Sequence, residues 1–319
     1  MLILSFILAA AVVVIAAIYL NQFGDVISKK SSLSGAVVGT FLIAGATSLP
    51  ELTTSLTAVY IDNPDIAVGN MLGSNGFNLL ILAVVDLIYR RRRLFQQIDT
   101  KANVPSALIG LLFFVIIIAS FLIPGSISIF GVGIEMIIVV LAYVLCMKFI
   151  SSDDEKQEEI PAKDVSLRTA VIGFIIAAVV VFASGSLLSI TGDRLAQATG
   201  MNASFVGSFL IAASTSLPEL VTVLAAFKLA NYNMAIGSIL GSNLFNIQLL
   251  ALTDILYRKG PILAAVDTSN MFIAGLGLVM TLVIIYLLVR PARTLSQWRY
   301  AAPSLVMALM YVVISYVLF

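Results

Sequence analysis

Two segments of the chain repeat each other at a constant offset of 168 residues. Residues 39–59 read GTFLIAGATSLPELTTSLTAV and residues 207–227 read GSFLIAASTSLPELVTVLAAF, with 14 of 21 positions identical. Residues 67–91 and 235–259 share 13 of 25 positions at the same offset, without a gap. Apolar periodicity alone would not keep Pro, Glu, Ser and Asn in register, so the two pairs belong to one internal duplication.

The composition indicates that the duplicated chain lies in a membrane. Of the 319 residues, 60% are hydrophobic and only 11% charged, against about 25% charged in ordinary soluble domains. Ten apolar runs have the length that a bilayer core about 30 Å thick requires. They cover roughly residues 1–20, 33–61, 65–89, 103–123, 126–149, 168–192, 203–229, 233–257, 269–290 and 299–319. The first run lacks a basic start and a clear cleavage site, which favours a span over a signal peptide.

The span count predicts an all-α polytopic membrane protein built from two inverted repeats. Each half has five spans, an odd number, so the second copy must cross the membrane in the opposite sense. Residues 1–150 form the first repeat (motif 39–91) and residues 168–319 the second (motif 207–259), joined by a cytoplasmic linker at 151–167. Inverted repeats are typical of secondary transporters, which bind their substrates where the repeats meet.

The basic residues predict the orientation. With the N-terminus outside, 15 of the 18 Lys and Arg residues fall in inside loops, as the positive-inside rule requires. Both termini are then extracytoplasmic, and we expect a multi-pass protein of the cell membrane. The acidic linker has no calcium-loop motif, so it is interpreted as solvated chain and not as a regulatory site.

Several function classes are excluded by residue counts. The net charge of +1 gives no indication of nucleic-acid binding. The chain has no histidine and a single cysteine, Cys146, which excludes His-ligated metal, a His-based triad and an internal disulfide. No cofactor and no obligate protein partner are indicated, so the expected partners are ions and the lipid bilayer.

Two carboxylates at repeat-equivalent positions form the centre of a candidate cation site. Glu51 and Glu219 lie about halfway along spans 2 and 7, each after a proline. Pro50 and Pro218 cannot donate a backbone hydrogen bond, so each should free a carbonyl one turn earlier. Because membrane-embedded carboxylates are costly, they usually have a function.

Hydroxyl and amide side chains accompany these glutamates. Thr47 and Glu51 are four residues apart and share a helix face. The pairs Ser74 with Asn78 and Ser242 with Asn246 repeat the same spacing. Carboxylate, hydroxyl, amide and carbonyl oxygens suit sodium, calcium, magnesium or manganese. Two glutamates balance one divalent or two monovalent cations, which is the property an exchanger needs.

Other polar features have structural interpretations. Glycines at 69, 73, 237 and 241 are predicted to let spans 2 and 3, and spans 7 and 8, approach closely. Asp86 and Asp254 lie near helix ends and are expected to pair with Arg90 and Arg258, four residues on. Glu135 has no acidic repeat mate and stays unassigned.

The two motifs resemble the alpha-repeats of the cation/calcium antiporter superfamily, and most of all its prokaryotic sodium/calcium exchanger branch. The resemblance covers the whole chain and implies antiport of sodium against calcium by alternating access, with spans 1 and 6 sliding across the other eight. It implies ligands from carboxylates, hydroxyls, amides and backbone carbonyls. These residues are Glu51, Glu219, Thr47, Thr215, Ser48, Ser216, Ser74, Ser242, Asn78, Asn246, Ala44 and Ala212.

Alternatives remain open at this point. Asn at both 78 and 246, where potassium-dependent members typically carry Asp, indicates potassium independence and leaves the sodium stoichiometry open. Proton coupling ranks second, because T-S-L-P-E differs from the signature of calcium/proton exchangers. Magnesium or manganese could replace calcium. An intramembrane enzyme ranks lower, since it does not explain equal acids on both copies. A cation channel also ranks lower, because channels commonly surround one pore with several subunits, whereas this chain builds its polar core from its own two halves.

Overall fold

The computed structural model describes residues 1–30, 47–146 except 124 and 126, 165–290 except 229, and 295–319. These residues form helices joined by short turns, with one two-stranded antiparallel hairpin, β1 (Ser128–Ile129) and β2 (Val132–Gly133). The helices are α1 (Leu2–Lys30), α2 (Leu49–Tyr60), α3 (Pro64–Ile88), α4 (Thr100–Leu122), α5 (Ile134–Cys146), α6 (Leu167–Thr199), α7 (Ala203–Thr215), α8 (Leu217–Lys228), α9 (Tyr232–Leu256), α10 (Ser269–Val289) and α11 (Gln297–Leu318).

The helices have the length and apolarity of a multi-pass membrane protein. Seven described helices are long and apolar enough to cross a bilayer, and the bent pair α7–α8 makes up to eight. The other two of the ten predicted spans are described only in part. Span 2 is described from residue 47 onward, and α5 ends at Cys146, before residues 147–164 that lie outside the description. The predicted linker lies almost entirely in that undescribed segment.

Repeat-equivalent residues start the two central helices in the same way. Asn63 caps α3 by accepting a hydrogen bond from the backbone of Ile66, and Asn231 caps α9 by accepting one from Met234. An asparagine oxygen is well suited to bond the free backbone N–H groups of a first helical turn. The duplicated sequence therefore sets the same start for both helices.

Burial separates the central helices from the peripheral ones. In α3 and α9, 72% and 61% of the most apolar stretch is buried, against 28% in both α1 and α6. Large apolar side chains remain exposed along α1, α6 and α11. Such surfaces are suited to contact with lipid. The centre of the molecule, where α3 and α9 meet, is therefore the part farthest from lipid.

Repeat-equivalent helices pack against each other with opposite directions. α1 packs against α6, α3 against α9 and α4 against α10. Lys30, at the end of α1, donates to the carbonyl of Val165 just before α6. Thr100, at the start of α4, donates to the carbonyl of Leu288 near the end of α10. These end-to-start contacts, together with one from Arg92 just after α3 to Tyr232 at the start of α9, show that the paired helices are antiparallel.

The glycines of α3 contact a different span from the one predicted. A side chain at Gly73 would lie 2.2 Å from the carbonyl oxygen of Ser208, and one at Gly69 would lie 2.9 Å from that of Ser204. Both neighbours belong to α7, so the close approach joins spans 3 and 7 and not spans 2 and 3. At Gly237 and Gly241 no described atom comes closer than 3.6 Å to such a side chain. The positions of the first repeat that are equivalent to Ser204 and Ser208 fall in the undescribed segment 31–46.

Candidate cation site

The TSLPE motif of the second repeat interrupts span 7. α7 contains a π-helical segment, Val206–Ile211, and ends at Thr215; α8 starts at Leu217 and is bent by 41° relative to α7. Pro218 in the first turn of α8 explains the break, because proline lacks the N–H that would continue the ladder. The predicted kink is thus present in the second repeat. In the first repeat α2 begins at Leu49, and Ala44 and the carbonyl of Ala46 lie outside the described residues.

The predicted ligands that the structure describes are buried together at the centre. Glu51 is fully buried and Glu219 is 2% exposed. Their hydroxyl and amide companions are also buried, apart from the half-buried Thr47. Hydrogen bonds of these residues join α2, α3, α7, α8 and α9, with Ser216 in the turn between α7 and α8. The sequence motifs therefore come from five helices but meet in one place.

Each glutamate has one oxygen in a hydrogen bond and one without. Oε1 of Glu51 accepts from the hydroxyl of Ser216 at 3.3 Å, and Oε1 of Glu219 accepts from that of Ser242 at 3.2 Å. Oε2 of both residues is buried without a hydrogen-bond partner among the described residues. No described Lys or Arg lies within ion-pair distance of either carboxylate. Two buried carboxylates without a compensating cation are unfavourable unless a cation joins them.

Three further oxygens of the predicted set are buried and unpaired within the described part of the chain. They are Oγ of Ser48, Oδ1 of Asn78 and Oδ1 of Asn246. Buried polar atoms without partners are rare in proteins, and each needs an explanation. Together with the two carboxylate oxygens they form a set of oxygen ligands suited to a hard cation. Among the described residues, no three His, Cys, Asp or Glu side chains lie close enough together to hold a metal ion. The candidate ligand set therefore combines charged and neutral oxygens.

Two more hydroxyls of the predicted set, those of Ser74 and Thr215, are engaged with groups other than the glutamates. The hydroxyl of Thr215 lies 3.5 Å from that of Ser74 and also bonds the carbonyl of Ala212. It lies 3.4 Å from Oδ1 of Asn70, a buried residue that the sequence analysis missed. Nδ2 of Asn70 in turn donates to the carbonyl of Glu51. Asn70 therefore holds the turn of α2 that carries Glu51.

Two more asparagines were missed although they lie inside the repeated segments 67–91 and 235–259. Asn75 and Asn243 follow Ser74 and Ser242 directly in the sequence. They are buried between α3 and α9 and bond each other and the predicted asparagines 78 and 246. The sequence signal that could have found them is the presence of asparagine at both repeat-equivalent positions. The four-residue helical spacing used to choose candidate ligands did not select them.

The predicted Asp–Arg pairs are wrong. Asp86 is fully buried and accepts hydrogen bonds of 2.6 Å from the hydroxyls of Tyr300 and Ser304 in α11. The guanidinium of Arg90 instead donates to the carbonyl of Leu87 and stacks on Trp298. A buried carboxylate is satisfied by nearby hydroxyls, whereas a flexible arginine at a helix end reaches the surface.

Asp254 has a corresponding role at the opposite end of the molecule. It accepts hydrogen bonds from the backbone N–H groups of Gly133 and Ile262, and so fixes the β-hairpin and the turn after α9. Glu135, left unassigned by sequence, is buried at the start of α5 with its carboxylate beside Gly133. Both acids lie outside the central cluster.

Comparisons with known proteins agree with this architecture. The residue pattern of the family described as "Sodium/calcium exchanger protein" matches residues 1–151 and 169–319. A putative antiporter, CaxA, of Alkalimonas amylolytica is 28% identical over 261 residues, which cover 80% of this chain and 81% of the relative. The solved H+/Ca2+ exchanger CAX has a TM-score of 0.69 at 13% identity, covering 99% of this chain and 88% of that one. The sodium-calcium exchanger NCX_Mj has a TM-score of 0.57 at 22% identity, covering 98% of both chains.

Proposed function

Because the chain belongs to the family of sodium/calcium exchanger proteins, we propose that it is a secondary active antiporter that exchanges sodium for calcium without potassium. The members and structural neighbours of this family are ion exchangers and not enzymes, and the chain is a multi-pass membrane protein. The proposal therefore concerns which ions are exchanged and which residues bind them.

The observation that carries the proposal is that five buried oxygens of the predicted ligand set have no hydrogen-bond partner among the described residues. They come from Glu51, Glu219, Ser48, Asn78 and Asn246. A calcium ion takes six to eight oxygen ligands and tolerates irregular geometry, so it would satisfy these atoms and balance both carboxylates. Sodium ions would balance the same two charges in turn. We also assign Thr47, Thr215, Ser74, Ser242, Ser216, Ala44 and Ala212 to this site.

Ten spans in two inverted repeats complete the proposal, with repeats at 1–150 and 168–319 and a cytoplasmic linker between them. The antiparallel pairing of three sets of repeat-equivalent helices supports the inversion, since a two-fold axis in the membrane plane places equivalent helices side by side in opposite directions. Such an arrangement suits alternating access, because the inward-open and outward-open states then have similar energies.

The proposed orientation has both termini outside the cell membrane. Contacts between loops support the division of the loops between two sides of the membrane, because each joins residues assigned to the same side. The distribution of the basic residues then gives the inside-outside sense. Lys259 and Asp62 form an ion pair of 2.5 Å on the proposed outer side, which raises the pKa of Lys259. Asn63 bonds Asp193 there as well. On the proposed inner side the side chain of Asn233 accepts from the backbone of Asp99.

Proton coupling is the second candidate. A carboxylate that loses its cation in a buried site can bind a proton instead, and each glutamate has one oxygen without a hydrogen-bond partner in the described part of the chain. Potassium coupling has less support, because amides at 78 and 246 leave only two negative charges in the site. A flux assay in which the driving ion is chosen separates these cases.

The test uses purified protein in liposomes loaded with sodium and diluted into sodium-free medium with labelled calcium. Calcium should accumulate with a protonophore present and without potassium on either side. Liposomes with equal sodium on both sides serve as the control and should take up little calcium. Unlabelled calcium, magnesium and manganese are then added in competition, and calcium should compete best.

Two results would contradict the proposal. Uptake that needs a pH gradient and ignores sodium would assign the protein to proton exchange. Uptake that proceeds equally well with no counter-ion inside would indicate a channel, because a channel does not require the second ion on the opposite side.

A further inference from the structure

Asn75 and Asn243 form a reciprocal pair at the contact between α3 and α9. Nδ2 of Asn75 donates to the backbone carbonyl of Asn243 at 3.1 Å, and Nδ2 of Asn243 donates to the backbone carbonyl of Asn75 at 3.2 Å. The two residues are 168 positions apart and so are repeat-equivalent. A small cavity on the side of α4 and α10 is lined by both, together with Phe114 and Thr281.

These bonds determine which way each amide points. A backbone carbonyl can only accept, so the atom that faces it must be the NH2 group of the asparagine. The oxygen of each amide is therefore the atom turned away from that carbonyl. This assignment follows from the chemistry of the partner and holds for Asn75 and Asn243 alike.

The orientation is passed on to the next asparagine in the opposite helix. Oδ1 of Asn75 accepts from Nδ2 of Asn246 at 3.1 Å, and Oδ1 of Asn243 accepts from Nδ2 of Asn78 at 2.9 Å. Because an oxygen must face a donor, Asn78 and Asn246 have to use their nitrogens here. Their oxygens are left over, and both are buried and unpaired in the described structure.

We infer that Asn75 and Asn243 are positioning residues that orient the amides of Asn246 and Asn78, so that each presents an oxygen and not an N–H group to the cation. The inference rests on the proposed function, since it takes Asn78 and Asn246 as ligands. The effect crosses between the repeats, because the asparagine of one repeat orients the ligand of the other. An amide free to turn would offer the cation its NH2 group part of the time, and cation binding would weaken.

The crossed pattern gives a test that general damage to packing would not imitate. Asn75→Ala should raise the calcium concentration for half-maximal binding about tenfold, measured by calorimetry on the purified protein. The same substitution is then made in an Asn246→Asp background. A carboxylate has an oxygen on both sides and needs no orientation, so the tenfold loss should shrink to less than about twofold or reverse.

Asn78→Asp supplies the matched control, because it adds the same charge at the repeat-equivalent position. In that background the tenfold loss from Asn75→Ala should persist, since Asn246 still needs orienting. The mirror experiment with Asn243→Ala should show the opposite dependence, with the loss removed by Asn78→Asp and kept by Asn246→Asp. If Asn75→Ala prevents folding, Asn75→Ser replaces it in the same four combinations.

An equal loss in both aspartate backgrounds, or no loss in either, would overturn the inference. Calcium binding is measured without any driving ion, so a failure of sodium coupling leaves this test intact. Conversely, calcium binding that persists in Glu51→Gln and Glu219→Gln would reject the proposed site itself. The two kinds of failure are therefore distinguishable.

Discussion

The hydroxyl of Ser216 donates a 3.3 Å hydrogen bond to Oε1 of Glu51, so a residue of the second repeat supports the central carboxylate of the first. The equivalent bond is absent from the other half of the described structure: Glu219 accepts from Ser242 of its own repeat, and the hydroxyl of Ser48 is unpaired. Ser48 and Ser216 thus occupy equivalent positions in the sequence but have different surroundings.

This difference predicts separate effects of two identical substitutions. Ser216→Ala should lower the stability of the ion-free protein by about 1 kcal/mol, the order of magnitude of a hydrogen bond between membrane helices. Ser48→Ala should leave that stability unchanged, since its hydroxyl has no hydrogen bond to a described residue. Thermal unfolding in detergent without calcium or sodium measures both. Equal destabilisation by the two variants would show that Ser48 has a partner in the ion-free state.

The two glutamates should both be required for exchange. Glu51→Gln or Glu219→Gln removes one of the two negative charges that balance the cation, and calcium uptake into sodium-loaded liposomes should fall to the level of empty liposomes. Glu135→Gln is the matched control, because it also removes a buried carboxylate, but one outside the central cluster. It should keep exchange. Near-normal uptake in both central variants would reject the site.

The repeated motifs predicted which polar residues would lie together, because each motif combines a set of side chains with a depth in an apolar span. Two glutamates at equivalent positions in apolar spans need polar partners inside the protein. The described structure brings these glutamates, the serines and the asparagines together as expected. Asn70, Asn75 and Asn243 were missed because their role depends on which helix faces them. Spacing along one helix does not contain that information.

Which helices pack against each other was also the part of the fold that could not be predicted. The sequence indicated which residues were small enough for close packing, but Gly69 and Gly73 meet Ser204 and Ser208 of α7, a contact set by the arrangement of the two repeats. Asp86 likewise accepts a hydrogen bond from Tyr300, more than two hundred residues away in the sequence, and does not pair with Arg90. Spacing along one helix predicts pairs between residues that are close in sequence. A buried carboxylate instead accepts hydrogen bonds from the donors that are closest in space, which can belong to a distant helix.

The close contact at Gly73 should make it intolerant of any side chain. A Cβ there would lie 2.2 Å from the carbonyl oxygen and 2.4 Å from Cα of Ser208, both backbone atoms. Gly73→Ala should therefore force α3 away from α7 and cost about 1–3 kcal/mol. Gly76→Ala lies one turn further along the same helix, where the nearest atom is a ring carbon of Tyr311 at 3.7 Å. It should be tolerated, and unfolding temperatures of the two variants provide the comparison.

The proposed sliding of spans 1 and 6 predicts that fixing α6 to α2 stops exchange. The hydroxyls of Thr57 and Ser186 are 2.9 Å apart, so cysteines at these two positions are expected to form a disulfide on oxidation. In a Cys146→Ser background, oxidised Thr57→Cys/Ser186→Cys protein should exchange sodium for calcium at least about tenfold more slowly, and reduction should restore the rate. Mass spectrometry measures the cross-linked fraction.

A second cysteine pair shows whether the cross-link itself is harmful. Asn202 and Ser269 are also hydrogen-bonded, at 3.0 Å, but they join α7 and the start of α10, which both belong to the proposed fixed core. Oxidised Asn202→Cys/Ser269→Cys protein should exchange at its reduced rate, because these elements need not move relative to each other. If the Thr57–Ser186 cross-link forms completely and exchange continues unchanged, α6 does not slide past α2, and alternating access must involve a different set of helices.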